Sequence, residues 1–231
     1  FYIATNQGVY AAEIKESGAL NNDMFQIIDN LSAQAWNLSI QDNKVFVGHD
    51  KGAYTIEGFA SEKIEGTEGI WKVIAVEGKE NLLLACAYEG IYVLEKKGGQ
   101  YMLRNEIENF ETSSRDILQT KEEGVFWICH GYEGVYKIKI DDDYRRVIAR
   151  EHFTDKNGLP SKYNINVTDY QEEVVFLSKF GMYRFDEGAN DFKPIDTLNE
   201  IFSKNLDVSR LTASKNRTWF IQNEAMGYFD N

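Results

Sequence analysis

A short motif of glycine, an apolar residue and tyrosine recurs along the chain and limits the fold more than any other feature. Each copy follows one run of β-branched and aromatic residues and opens another. The copies are Gly8-Val9-Tyr10, Gly52-Ala53-Tyr54, Gly90-Ile91-Tyr92, Gly134-Val135-Tyr136 and Gly181-Met182-Tyr183, with a degenerate sixth at Ala225-Met226-Gly227. Their spacings of 44, 38, 44, 47 and 44 residues are typical of four-stranded propeller blades, which take about 40–50 residues each.

Each period divides into four β-rich segments. In the third period they are Ile70–Val76, Leu82–Cys86, Ile91–Leu94 and Gln100–Leu103. The motif glycine suits a tight hairpin because it adopts a positive φ without steric cost. Solenoids and leucine-rich repeats are disfavoured, because their consensus helices and Leu-x-x-Leu-x-Leu runs are absent. The sequence predicts an all-β fold, a β-propeller of four-stranded antiparallel blades, with about five to six blades represented and both end blades truncated.

The repeat also predicts where the blades begin and end. We expect one propeller segment, with a partial blade at 1–29, blades at 30–66, 67–107, 108–154 and 155–198, and a partial blade at 199–231. The chain opens in the second strand of one blade and stops in the third strand of another. We therefore expect that this arc does not close alone, and that other propeller repeats of a larger parent protein pack against it.

Charge and cysteine content exclude several classes. A net charge of −12 argues against nucleic-acid contact, which needs a basic surface. The chain has no run of 18 apolar residues, so no segment is predicted to span a membrane. Cys86 and Cys129 lie in apolar runs at nearly equivalent points of successive blades. Neighbouring sheets lie about 10 Å apart, whereas a disulfide needs Cα atoms within about 7 Å, so two buried thiols are predicted.

One segment resembles a known repeat family. The run from His152 to Ser161, which contains NGLPS, and the following Asn164–Val167 resemble the linker and first strand of the two-component-regulator propeller repeat. That family continues with a pair of strands of the form lWigT-x-x-GLyrfd. Two strand pairs fill this pattern here: Val125–Cys129 with Gly134–Ile138, and Val175–Ser178 with Gly181–Asp186. The repeat covers nearly the whole chain, and one copy carries the full NGLPS string.

The resemblance implies a sensor. The gapped form around Ser113-Ser114-Arg115 and His130–Tyr136 is similar to a Bacteroidetes subgroup of membrane-spanning regulators. Those proteins combine an extracytoplasmic propeller, a triple-tyrosine domain and a cytoplasmic helix-turn-helix segment, and sister proteins are hybrid histidine kinases that detect carbohydrate fragments. The resemblance thus implies a periplasmic module that touches the membrane only through its parent protein.

Catalytic motifs are missing from the sequence. His49, His130 and His152 are scattered, and neither HExxH, GxSxG nor a P-loop occurs. The acidic runs Asp141-Asp142-Asp143 and Asp155-Lys156-Asn157-Gly158 are typical of turns and lack the downstream glutamate of an EF-hand. We predict no catalytic residue, no metal and no cofactor. Paired acids from different blades, as glycosidases use, stay open because they leave no local motif.

The strongest prediction of a binding site is a ring at one face of the blades. Loops and strand starts on one rigid face are where binding residues collect. Aromatic faces can cover a sugar, and polar groups can satisfy its hydroxyls or a carboxylate. The predicted ring consists of Trp36, Asn37, Trp71, Lys72, Tyr88, Arg115, Asp116, Tyr132, Asn164, Asn166 and Arg210.

Three functions are compatible with this sequence. The first is a sensor of a small-molecule ligand such as an oligosaccharide. The second is a protein-interaction platform, which includes a homodimer. The third is a carbohydrate-active enzyme. A concave polar and aromatic surface would favour the first, and a broad apolar patch on a blade edge or outer face would favour the second.

Overall fold

A computed structural model describes residues 1–14, 18, 21–202, 206–223 and 225–230. Within these residues, 22 β-strands form six antiparallel sheets and one short α-helix is present. The chain divides into two compact units. Unit 1 comprises residues 1–115 and 143–146, and unit 2 comprises residues 116–142 and 147–231.

Unit 1 holds three sheets, each with its strands in chain order. The first sheet is β1 (Tyr2–Thr5), β2 (Gly8–Ala11) and β3 (Gln26–Ser32); the second is β4 (Ala35–Gln41), β5 (Lys44–His49), β6 (Gly52–Glu57) and β7 (Ala60–Lys63); the third is β8 (Ile70–Ala75), β9 (Leu82–Ala87), β10 (Ile91–Lys97) and β11 (Gln100–Glu106).

Unit 2 repeats the same arrangement. Its sheets are β12 (Asp116–Gln119), β13 (Val125–His130), β14 (Gly134–Ile140) and β15 (Val147–Phe153); then β16 (Asn166–Tyr170), β17 (Glu173–Ser178), β18 (Gly181–Asp186) and β19 (Asp191–Pro194); and finally β20 (Val208–Ala213), β21 (Arg217–Gln222) and β22 (Ala225–Asp230). The helix α1 (Asp196–Ile201) lies between β19 and β20, and short 3₁₀ turns occur at Asn22–Met24 and Asp155–Asn157.

Successive sheets within each unit stack through their first strands. In unit 1, β4 packs against β8, and in unit 2, β12 packs against β16 and β16 against β20. Side-chain hydroxyls link these neighbours: Ser39 donates to the Val73 carbonyl at 2.8 Å, and Thr168 donates to the Leu211 carbonyl at 3.1 Å. Apolar clusters fill the space between sheets, for example around the fully buried Phe46. The predicted all-β fold of four-stranded propeller blades is confirmed, and in the described residues each end sheet has three strands.

Two predicted blade borders are wrong. The border after residue 29 falls inside β3, because Asn30 (φ 65°) does not end the strand. The β2–β3 pairing register instead shifts by three residues, since only Val9 lies between Gly8 and Tyr10, whereas four residues of β3 lie between their partners Ser32 and Ile27. The border after residue 198 falls inside α1, a helix that the sequence did not predict.

The NGLPS segment is a structural connector. Thr154 caps the short 3₁₀ turn, and Gly158 has φ 79°. A Cβ at Gly158 would lie 2.4 Å from the Phe192 carbonyl oxygen, so the chain approaches too closely for any other residue. Leu159 follows and is buried in the apolar cluster around Trp127. This motif therefore packs between two successive blades.

The two cysteines are as predicted: Cys86 and Cys129 are both buried thiols. Among the described residues, no helix is long and apolar enough to cross a membrane.

Candidate functional site

Five predicted ring residues occupy one register position in successive first strands. Each pairs with one residue of the second strand of its sheet. On its other side, that second-strand residue pairs with the third strand, at the apolar residue of the repeat motif or at the equivalent of that apolar residue in the sixth copy. The five are Asn37, Lys72, Asp116, Asn166 and Arg210. Since side chains alternate along a strand, a shared register position gives the five residues the same orientation within their sheets.

Bulges mark the same place in some blades. Trp36 and Trp71 are the extra residues where the β4–β5 and β8–β9 registers shift, and Ser209 is the extra residue in β20. The ladders that start at Asp116 and Asn166 show no shift there. A bulge re-aims a side chain and leaves it outside the regular alternation. The bulges therefore allow tryptophans to sit beside the polar positions.

In unit 1, the structure brings three predicted residues together as an aromatic triad of Trp36, Trp71 and Tyr88. The Trp71 ring lies between the other two, with ring centroids 4.6 Å from Trp36 and 4.7 Å from Tyr88, each at an interplanar angle of 48°. The indole N–H of Trp36 donates to the Tyr88 hydroxyl at 2.8 Å. The triad is thus held by two tilted ring contacts and by a hydrogen bond between Trp36 and Tyr88.

Two further side chains fix the triad. The Tyr88 hydroxyl donates to Asp50 Oδ1 at 2.8 Å, and the Trp71 indole N–H donates to Ser113 Oγ at 3.3 Å. Burial, and secondly the hydrogen bond to Asp50, raise the pKa of Tyr88 to about 12, against the opposing effect of Trp36. Tyr88 therefore stays protonated at physiological pH and can donate. Ser113 was not predicted as a site residue, whereas Asp50, in the turn before a motif glycine, was expected on the ligand face but not among the ring residues.

Close backbone approaches set the position of the triad. The Tyr88 N–H donates to the Gly69 carbonyl at 2.8 Å, and a Cβ at Gly69 would lie 2.7 Å from the Tyr88 ring. A Cβ at Gly48 would lie 2.4 Å from the Trp71 carbonyl oxygen. The absence of a side chain at Gly69 lets the Tyr88 ring come close, and its absence at Gly48 lets the neighbouring sheet come close.

The remaining predicted residues of unit 1 are half-buried. They are Asn37, Lys72 and Arg115. The Asn37 Oδ1 atom is buried without a hydrogen-bond partner among the described residues. Trp36 is the most open member of the triad, with 36% of its surface exposed.

In unit 2, the predicted ring is organised around a buried carboxylate. Asp116 is 1% exposed. Its Oδ2 accepts the Val167 N–H at 3.1 Å and pairs with Arg210 Nη1 at 3.3 Å, while Oδ1 accepts the Ile117 N–H at 3.0 Å. Asp116 therefore joins three successive first strands, β12, β16 and β20. These contacts join strands of the protein, and the contact of Asp116 with a ligand stays a prediction.

The other unit 2 residues lie on connections and strand starts. Tyr132 is 68% exposed in the β13–β14 turn. Asn164 is exposed, has φ 53°, and donates its N–H to the Gly131 carbonyl at 2.9 Å. Asn166 is 8% exposed. Thus Asn164 is joined through the backbone to the turn that carries Tyr132, whereas Asn166 is the first residue of β16.

Two histidines have a shared role that the sequence did not reveal. His49 and His130 each end a second strand, and the Nδ1 atom of each accepts backbone N–H groups of the following turn. Thr5 and Ser178 do the same with hydroxyl oxygens at equivalent places. The third histidine, His152, stacks on Tyr136 at 4.2 Å. Among the described residues, no group of three His, Cys, Asp or Glu side chains could hold a metal ion.

Comparison with known proteins gives matches only at the level of structure. No family model matches the chain, and no curated protein matches it. The extracellular domain of BT4673 from B. thetaiotaomicron, assigned as a one-component system, has a TM-score of 0.67 and 12% identity, over 99% of this chain and 32% of that chain. The extracellular domain of BT3049 from B. thetaiotaomicron, assigned as a hybrid two-component system, has a TM-score of 0.65 and 14% identity, over 99% and 32%.

An enzyme shares the fold as well. An ancestral GH74 enzyme has a TM-score of 0.55 and 16% identity, over 98% of this chain and 42% of that chain. The chain spans 32% of the length of each of the two extracellular domains. At these identities the likeness is one of fold. The chain thus shares the fold of these extracellular domains, in agreement with the propeller fold that the NGLPS resemblance implies.

Proposed function

We propose that this chain is the ligand-sensing part of an extracytoplasmic β-propeller in a bacterial membrane-spanning transcriptional or two-component regulator. The proposal is supported by the two Bacteroides neighbours, which are extracellular domains of signalling systems. On this proposal the chain lies in the periplasm, and contact with the membrane is made by other parts of the parent protein. The fold is shared with a GH74 enzyme, but fold does not determine activity, and we propose no catalytic role.

The observation that carries the ligand-binding part is the aromatic triad. Trp36, Trp71 and Tyr88 form a half-exposed surface of three rings, bordered by the Asp50 carboxylate. Aromatic faces cover the apolar face of a sugar ring, while a carboxylate and a hydroxyl satisfy its hydroxyl groups. We therefore propose a carbohydrate or another small molecule with a flat apolar face as the ligand.

The test is ligand-induced stabilisation of a double variant, Trp71→Ala with Arg115→Ala. A panel of oligosaccharides is screened for those that raise the melting temperature of the wild type, since a ligand that binds only the folded state stabilises it. The double variant is expected to fold, with a melting temperature lowered by several degrees (about 2–4 °C per kcal/mol), and to lose the ligand-induced increment.

A matched control separates binding from packing. Trp219 packs on Tyr228 at 5.1 Å, away from the triad in sequence and in unit 2. The variant Trp219→Ala with Lys215→Ala likewise removes one tryptophan and one positive charge, and it should keep the full increment of melting temperature. An unchanged increment in the Trp71 and Arg115 variant would refute the site, whereas its failure to fold would assign these residues to packing.

A second function is favoured by an apolar surface on the sixth sheet. Ile221 pairs directly with Met226, and Trp219 with Tyr228. Ile221, Met226 and Tyr228 are 38%, 70% and 48% exposed. Such a surface suits contact with protein, which includes a further repeat of the parent chain or a second copy. Light scattering of the wild type and of Met226→Lys tests the second-copy alternative, which requires a dimer that the lysine disrupts.

A further inference from the structure

The β13–β14 turn is held by an imidazole that must be neutral. His130 ends β13, and its Nδ1 accepts the N–H groups of both Tyr132 and Glu133, each at 3.0 Å. An imidazole nitrogen accepts a hydrogen bond only while it carries no proton. The proton of the neutral ring is therefore on Nε2, which lies 4.0 Å from Glu133 Oε2. Protonation of Nδ1 would remove the acceptor for two backbone donors at once.

The groups around His130 come from the turn and from two strands. The turn contributes Glu133, whose Oε2 accepts the Tyr136 hydroxyl of β14 at 3.0 Å. Strand β15 contributes His152, which is stacked on Tyr136, and Arg150, whose guanidinium lies 4.5 Å from the Tyr136 ring.

These neighbours act in opposite directions on His130. Burial lowers the pKa of His130 most, Glu133 raises it, and His152 lowers it. Neutral His130 is therefore the form present at neutral pH, and acidification supplies the proton.

The equivalent turns in other sheets have different side-chain acceptors for their backbone N–H groups. In β17 the hydroxyl of Ser178 accepts the Phe180 N–H at 3.1 Å, and in β1 the hydroxyl of Thr5 accepts the Gln7 N–H at 3.1 Å. Hydroxyl groups do not titrate in the physiological range. In β5 the fully buried His49 accepts one N–H, that of Lys51, at 3.0 Å. His130 combines a titratable acceptor, two donors and partial access to solvent.

We propose that protonation of His130 releases the β13–β14 turn and moves Tyr132, so that this part of the ligand face responds to pH. The significance for sensing depends on the proposed function, because Tyr132 is one of the predicted ring residues. The physical step does not depend on it. When Nδ1 carries a proton, it can no longer accept the backbone N–H groups of Tyr132 and Glu133. The turn must then rearrange so that these two N–H groups find other acceptors.

The test is an NMR titration of the intact chain from pH 8 to pH 5 without any ligand. The backbone amide signals of Tyr132 and Glu133 should shift with one midpoint, and this midpoint should equal that of the His130 ring. The Phe180 amide, which has a serine as its acceptor, should not shift at that midpoint. Amides of Tyr132 and Glu133 that stay constant, or that shift with a midpoint different from that of the His130 ring, would overturn the proposal.

A variant tests the cause. In His130→Asn the side-chain carbonyl can accept the same N–H groups and carries no titratable proton. The Tyr132 and Glu133 shifts should disappear in this variant, and their persistence would contradict the proposal. If the variant fails to fold, the equality of midpoints in the wild type decides the question. Because no ligand is added, a negative result concerns the proton response alone, and the Trp71 and Arg115 experiment still decides the ligand site.

Discussion

The two units fill one register position in different ways. In unit 1 the first strands carry Asn37 and Lys72 at this position, and bulges place Trp36 and Trp71 beside them. In unit 2 the position holds Asp116, which is buried and bonded to Val167 and Arg210. Unit 1 thus presents a half-exposed aromatic surface, whereas unit 2 uses its polar groups to join strands. Equivalent positions in a repeat therefore do not carry equivalent functions.

The difference has a physical origin. An aromatic ring can pack on its neighbours and still offer a face to a ligand. A buried carboxylate must instead be satisfied by donors from the protein, because an unpaired buried charge is costly. Hydrogen bonds within the triad leave ring surface available, but those of Asp116 use both of its oxygens.

The largest expected effect is in unit 2. Asp116→Ala should lower the free energy of unfolding by about 3–5 kcal/mol, the usual cost of removing one partner of a buried charge pair. Arg210→Ala should cost less than this, since the Arg210 side chain is 44% exposed and water can replace part of its pairing. Urea denaturation measures both. Equal losses for the two variants would show that Asp116 does not join the strands as described.

The next largest effect concerns the approach of two sheets in unit 1. Gly48→Ala places a Cβ 2.4 Å from the Trp71 carbonyl oxygen and 2.9 Å from that of Ile70. Overpacking of this kind costs about 1–3 kcal/mol. The matched control is Gly188→Ala, because a Cβ there meets only a side-chain oxygen of Asp186, at 3.4 Å, and should change stability by less than about 0.5 kcal/mol. Thermal unfolding that ranks the two variants equally would contradict this packing.

A smaller difference is expected within the triad. Trp71 packs its ring against two aromatic rings, whereas Trp36 packs against one, and aromatic pairs contribute about 0.5–1.5 kcal/mol each beyond the area they bury. Trp71→Ala should therefore cost more stability than Trp36→Ala, by roughly one such pair. Chemical denaturation of both variants checks the order. A larger loss for Trp36→Ala would place the centre of the cluster elsewhere.

The smallest effect concerns pH. Burial is the main cause that lowers the pKa of both His49 and His130 in the folded protein. The unfolded chain, with its ordinary histidine pKa of about 6.5, then binds protons before the folded chain does. The contribution of the two neutral histidines to the free energy of unfolding is complete above about pH 6.5. It declines as the pH falls toward the lowered pKa values of the folded protein. Urea midpoints at pH 7.5 and pH 5.5 should show the decline, and His130→Asn should reduce it. A midpoint that rises on acidification would contradict the assignment.

Local pattern was enough to predict the blades and to select the candidate ring residues. The spacing of the motif glycines, such as Gly90 and Gly134, predicted four strands per period. Aromatic residues at strand starts led to the prediction of Trp36 and Trp71 as site candidates, and the structure brings these two rings together. These features depend on residues close together in the sequence, where period and turn chemistry act directly.

Long-range partners could not be predicted in the same way. Asp116 and Arg210 are separated by 94 residues, and nothing in the local sequence of either indicates the other. The register shift in β3 and the helix α1 likewise depend on how neighbouring segments pack. The capping role of His49 and His130 had a weak signal, their shared place at the end of second strands, but the acceptor atom became evident only from the turn geometry.

The central claim is that the aromatic triad is the ligand-contact surface of unit 1. Isothermal titration calorimetry should be carried out with the oligosaccharide that best stabilises the wild type, using Trp36→Ala and Phe59→Ala. Trp36 and Phe59 are similarly exposed, at 36% and 39%, but Phe59 lies in the β6–β7 turn at the opposite strand ends. We predict a loss of affinity of at least about tenfold (~1.4 kcal/mol) for Trp36→Ala and none for Phe59→Ala. Equal affinities for the two variants, or no oligosaccharide that stabilises the wild type, would contradict the claim.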